Sequence, residues 1–277
     1  MEPETWSVTG PQTIDIESVG SLRAGIVDGR LDVIVRDGPG ARIEVSEVKG
    51  EPLTVSLIDG RLEVRHREEG PQGWLKSLLN TVGGSSMNSA IVSIAVPRGT
   101  IIEIATVTGE GFVAGAGPTT RLNTVSGSLL ADDTDGEMHL NTVSGDIIAR
   151  AHSGVLTAKT VSGEITASGA LTDVRATSVS GGLSFDLSGF CRTLAVSTMS
   201  GDLTVRVPHD TGVDLSASMV SGHVVVDDDR LRTSGGKVSA TLGPADRRTA
   251  VRAKSVSGDI SVVHAPAPAQ QPEGEHS

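Results

Sequence analysis

The sequence has 277 residues, a formal net charge of −11 and 2% aromatic residues, with no Tyr, three Phe and two Trp. A chain this acidic offers little to nucleic-acid phosphates or to an anionic membrane surface. With so few aromatics, its core has to be built from Val, Ile, Leu and Ala.

The chain begins Met1-Glu2-Pro3-Glu4 and lacks the basic and apolar regions of a signal peptide. No apolar run approaches the roughly 18 residues of a membrane-crossing helix. The expectation is a cytoplasmic protein with no membrane span. Residues 1–66 read as irregular N-terminal coils or a β cap. Around Gly29, apolar residues fall at Leu22, Ala24, Val27, Leu31 and Val33, and before Gly50 at Ile43, Val45 and Val48. Residues 67–90 read as an insertion. In it Trp74, Leu75, Leu78 and Leu79 follow i, i+1, i+4, i+5 spacing, which predicts one face of a short amphipathic helix. That face is the candidate partner contact, with Trp74 as anchor; the alternative is a cap over an open end of a stack.

Residues 91–263 carry the strongest signal. A tetrapeptide recurs as Thr106-Val107-Thr108-Gly109, Thr124-Val125-Ser126-Gly127, Thr142-Val143-Ser144-Gly145, Thr160-Val161-Ser162-Gly163 and Ser178-Val179-Ser180-Gly181. It continues as Thr198-Met199-Ser200-Gly201, Met219-Val220-Ser221-Gly222 and Ser255-Val256-Ser257-Gly258. The glycines are spaced 18, 18, 18, 18, 20, 21 and 36 apart, and the 36 leaves room for a degenerate copy near Ser234-Gly235-Gly236. Counted from each glycine, positions −7, −5, −2, +2 and +4 tend to be apolar; around Gly145 these are Met138, Leu140, Val143, Ile147 and Ala149. Steps of two mark strands and the breaks between them mark corners. Glycine suits a corner through positive φ or close backbone approach. On this reading Val125, Val143, Val161 and Val179 stack inward. The predicted fold is an all-β, single-stranded parallel β-solenoid (a β-helix) of about 18 residues per coil with one short helical insertion. An antiparallel sandwich also has short strands, but it does not explain the return of the same residue types at 18. Residues 264–277 read as a disordered tail.

The Val-Ser-Gly-Asp-Ile signature at Val143–Ile147 and Val256–Ile260 resembles a bacterial family of β-strand-repeat proteins of unknown function that carry an adhesin label. Ile94-Ala95-Val96-Pro97-Arg98-Gly99, leading into the first clear copy, resembles it too. The resemblance spans roughly residues 10–263. It implies a binding or scaffold module, adhesin-like and linked to cell-envelope stress or its regulation. The partner expected is a protein or a cell-envelope component, with self-association left open.

No phosphate loop, nucleophile elbow or zinc-helix motif is present, and no cofactor, metal or catalytic residue is expected. His139 and His152 are predicted to face solvent. Cys191, the single cysteine, excludes an intramolecular disulfide and reads as a packed thiol. The alternative function is a carbohydrate-active hydrolase or lyase. Its candidate pair is Asp146 and Glu164, which follow the glycine in adjacent coils and would stack about 4.8 Å apart. The Thr and Ser columns, such as Thr142 and Ser144 with their copies, either bind sugar or water in a ladder or bond one coil to the next.

Overall fold

The computed structural model of the chain describes residues 3–66, 88–227, 229–231 and 236–266. The helix expected around Trp74, Leu75, Leu78 and Leu79 lies outside them, as do most of the insertion and residues 267–277 of the tail. The chain is all-β and solenoid-like: 24 strands join one hydrogen-bonded network, with no helix among the described residues.

The central coils have two sides. On the first side, β9 (Ile101–Thr106), β11 (Thr119–Thr124) and β13 (Asp135–Thr142) stack in parallel. They continue into the second half of β14 (Ile147–Thr160), the second half of β15 (Ile165–Ser178) and β17 (Thr193–Thr198). On the second side, β10 (Glu110–Ala114), β12 (Leu129–Asp132), the first halves of β14 and β15, β16 (Leu183–Leu187) and β18 (Leu203–Val207) do the same. Because β14 and β15 bend through a corner, they belong to both sides and tie them into one network.

The register follows the repeat: Leu129 pairs with Ile147, Ile147 with Ile165, and Ile165 with Leu183. Each inward position therefore sits on its own copy. Met138, Leu140, Ile147 and Ala149 are fully buried, as are Leu156, Ala158, Ile165 and Ala167 one coil on.

The −2 column reverses its expectation. Val143 and Val161 are each 46% exposed and Val179 is 41% exposed, while Val125 is half-buried. The buried residue is the neighbour at −3: Thr106, Thr124, Thr142, Thr160 and Ser178. Alternation by two runs through −7, −5 and −3, and the chain turns only afterwards, so −2 lies outside the bend. The buried hydroxyl closes the corner, Thr142 Oγ1 donating to the Gly145 carbonyl at 2.6 Å and Thr160 Oγ1 to the Gly163 carbonyl at 2.7 Å. Gly145 is required by close approach: a Cβ there would run into the carbonyl of Gly127 one coil below. The opposite corner uses positive φ as well, 85° at Gly136 and 138° at Gly154.

Stacking order departs from chain order at both ends. At the C-terminal end, β23 (Arg248–Ser257) inserts between β17 and β19 (Gly212–Ser221). Likewise β24 (Ile260–His264) inserts between β18 and β20 (Val224–Val226). At the N-terminal end, β3 (Ser21–Ile26) lies between β7 (Arg61–His66) and β9. There β4 (Asp28–Arg36) lies between β8 (Ser89–Pro97) and β10.

Antiparallel strands close the stack. At the N-terminal end β6 (Leu53–Ile58) and then β1 (Glu4–Val8) follow β7, while β5 (Ala41–Lys49) and then β2 (Gln12–Ile16) follow β8. At the other end β22 (Lys237–Leu242) borders β19 and β21 (Asp229–Leu231) borders β20. The degenerate copy expected near Gly236 is therefore no coil. Gly236 leads into a strand that runs back antiparallel, and Ser234 and Gly235 lie outside the described residues.

Candidate functional site

The chemistry-bearing columns are mostly consumed by the stack. Ser126, Ser144, Ser162 and Ser180 each donate from Oγ to the carbonyl of the −2 residue one coil below, all at 3.2 Å. That is the coil-to-coil alternative for the hydroxyl ladder. Asp146 and Glu164 do lie one above the other, but Asp146 Oδ1 accepts the backbone N–H of Glu164 at 3.0 Å. Asp202 holds Asp259 in the same way at 2.8 Å. These carboxylates organise the corner, as turn-side Asp commonly does.

His139 is half-buried, with its Nε2 3.1 Å from a Glu137 carboxylate oxygen. His152 is fully buried, contrary to the solvent-facing expectation. Its Nε2 lies 3.3 Å from the Val155 carbonyl and its Nδ1 3.0 Å from Thr134 Oγ1, so the neutral ring donates to the first and accepts from the second. Burial pushes this imidazole below its ordinary value. It reaches the interior because the second corner bends between Ala149 and His152, where the pairing with β15 shifts register and Ala151 takes a φ of 50°. That bend swaps the side-chain alternation. Cys191 is also buried, and its thiol is pushed up to about 11 by desolvation and then by the Asp173 charge. Among the described residues no group of three His, Cys, Asp or Glu is placed to hold a metal ion. Trp74, Leu75, Leu78 and Leu79 lie outside them.

The surface feature the pattern-reading missed is the −2 column itself. Val143, Val161, Val179, Met199, Val256 and Val220, between 41% and 82% exposed, line one corner of the stack as an apolar ridge. Continuing the two-residue step from −7 and −5 lands on −3, which was the available signal.

The flanks of the ridge differ in charge. On the first side, the outward positions −6 and −4 carry Arg121, Lys159, Arg175, Arg252 and Lys254 with no carboxylate between β11 and β19. None of the five forms an ion pair among the described residues. Two cations further from the ridge do, Arg192 Nη2 with Asp173 at 2.5 Å and Arg248 Nη1 with Asp214 at 3.0 Å. A shallow depression of about 370 Å³ lies over this flank, floored by Ala195, Ser197, Ser216 and Ser218 and walled by Arg175, Arg252 and Lys254. On the second side, position +1 carries Glu110, Asp146, Glu164, Asp202 and Asp259, all exposed. The corner thus reads basic, apolar, acidic from one side to the other.

Residues 26–274 match the family described as Toastrack DUF4097. No curated protein matches the chain. Among solved structures, a candidate lipid binding protein from Parabacteroides distasonis is 14% identical with a TM-score of 0.51, over 95% of this chain and 97% of that one. A candidate adhesin from Parabacteroides merdae is 14% identical with a TM-score of 0.39, over 95% and 96%. A candidate cell adhesion protein from Clostridium sporogenes is 14% identical with a TM-score of 0.28, over 92% and 100%. At such identities the first of these speaks to the fold alone.

Proposed function

The chain belongs to the Toastrack DUF4097 family, and on that premise we propose that it is a non-enzymatic binding or scaffold module. In this reading its centre is a parallel β-solenoid of about 18 residues per coil that holds one rigid, elongated corner towards a macromolecular partner. The observation that carries the proposal is the division of labour at that corner. Serine hydroxyls and Asp146 are taken up by coil-to-coil hydrogen bonds, while an apolar ridge and a row of cations are left at the surface. Groups spent on the stack are poor candidates for acid–base work, whereas exposed apolar area beside charge is what an interface uses.

The rival is a carbohydrate-active enzyme using Asp146 and Glu164. The test incubates the full chain with a panel of neutral and acidic polysaccharides and follows new reducing ends and unsaturated products. No turnover above a heat-denatured control is expected. Turnover that disappears in an Asp146→Asn/Glu164→Gln double variant, with unchanged melting, would overturn the proposal.

A further inference from the structure

We propose that the ridge is a dimer interface, two copies packing corner to corner with their stacking axes parallel. This deepens the binding reading above by naming the partner as a second copy of this chain.

Charge is ordered across the corner. A basic flank, an apolar ridge and an acidic flank follow one another. A twofold axis along the stack, lying in the interface, exchanges left and right. It sets the basic flank of each copy against the acidic flank of the other on both sides of the ridge. A twofold axis across the stack would set basic on basic and acidic on acidic. The surface is therefore self-complementary in one orientation and self-repelling in the other, as an isologous interface requires.

The same symmetry fixes the register. With no shift along the axis, each coil faces its own copy, so ridge residues Val143, Val161 and Val179 meet their equivalents. Lys159 then faces Glu164 of the second copy, and Lys254 faces Asp259. Lys159 and Lys254 are exposed and form no ion pair within the chain among the described residues, so both are available.

A lipid surface fits less well. The acidic row beside the ridge repels anionic headgroups, and the ridge of Val and Met has no aromatic side chain to sit at an interface. At a strand spacing of about 4.8 Å, six ridge residues and their flanks cover on the order of 500 Å² per partner. That lies at the low end for a specific interface, so a reversible dimer with micromolar or weaker affinity is expected.

The experiment is sedimentation velocity on the full chain from about 1 to 500 μM, at low salt and at about 0.5 M NaCl. The expected result is a concentration-dependent dimer weakened by salt. Val161→Glu should raise the dissociation constant about 10-fold or more while leaving the melting of dilute protein unchanged. Lys159→Glu and Glu164→Lys should each be monomeric alone, form a heterodimer when mixed, and regain the homodimer when combined in one chain. A wild-type chain that stays monomeric throughout overturns the proposal, as does a dimer indifferent to Val161→Glu or a mixture that fails to associate. Sedimentation of the wild type with vesicles containing about 30% phosphatidylserine, lost in Val161→Glu, would assign the ridge to lipid and also overturn it. None of these results bears on turnover, so the non-enzymatic reading stands or falls separately.

Discussion

The centre of the stack and its two ends are built from the same strands but wired differently. In the centre, neighbours in space are neighbours in sequence: Leu129 pairs with Ile147, and Ile147 with Ile165. At the ends the partners are remote. Leu22 pairs with both Leu62 and Ile102, and Val251 pairs with both Leu194 and Leu215. A sequential stack grows by nearest-neighbour contacts and can lose a unit with little further damage. An inserted coil bonds on both edges to segments far away in the chain, so its removal opens two edges at once. The antiparallel strands beyond it then lose their template.

That contrast can be broken most sharply by deletion. Removing residues 246–277 takes out β23 and β24 and should unfold everything stacked beyond them, leaving residues 212–242 without hydrogen-exchange protection while the coils around Leu140 and Ile165 keep theirs. Removing residues 146–163, one central coil, joins Gly145 to Glu164 in register and should leave a shorter, cooperatively folding protein. Equal damage from the two deletions would show that centre and ends do not differ in this way.

Within the centre, the next largest effect is expected at the glycine column. Gly145→Ala drives a Cβ into the Gly127 carbonyl, which cannot retreat without disturbing the coil below. The cost should be about 3 kcal/mol in denaturant melts. Gly10→Ala, where a Cβ meets nothing nearby, should stay within about 0.5 kcal/mol.

The two sides of the corner sharpen the picture at single-residue scale. Thr142→Val keeps the shape and loses the bond to the Gly145 carbonyl, at about 1 kcal/mol. Val143→Asp, one residue on, should cost less than about 0.5 kcal/mol in dilute protein because the side chain is already in solvent. The inward valine column read from the pattern would instead require a loss on the order of 3–5 kcal/mol.

Two smaller effects belong to the second corner. Desolvation holds His152 below its usual value of 6.5, so the unfolded chain binds a proton there while the folded chain stays neutral. The stability present above pH 6.5 should therefore fall as the pH drops below it. A His152→Leu variant should lose that part of the acid dependence of Tm. Cys191, with its thiol raised to about 11, should resist alkylation at pH 8 in the folded protein and react once it is unfolded.

Much of the core was legible from residue pattern alone. The columns at −7, −5, +2 and +4 are inward because alternation within a strand is a local property, set by backbone geometry whatever the strand pairs with. The crowding at Gly145 was legible for a related reason: a glycine that returns at each corner marks a place where backbones approach. The ridge was misread because a corner interrupts the alternation. Thr142 and Val143 are both β-branched, and nothing in their side chains says which of them precedes the turn. His152 was misplaced for the same reason at the opposite corner.

The order of the coils at the ends is set by tertiary packing. Strand pairing is carried by backbone hydrogen bonds, which are alike for every residue except proline, so β23 carries no mark that assigns it to the edge of β17 rather than to the outside of β19. That choice rests on which remote apolar rows best continue the core, and the same packing leaves the corner valines outside as a surface rather than inside as a core. The all-β character and most of the side chains that fill the core were readable in the sequence, because each of those follows from local spacing. Where the bends fall and which distant strands meet are not local properties, and the folded chain settled both.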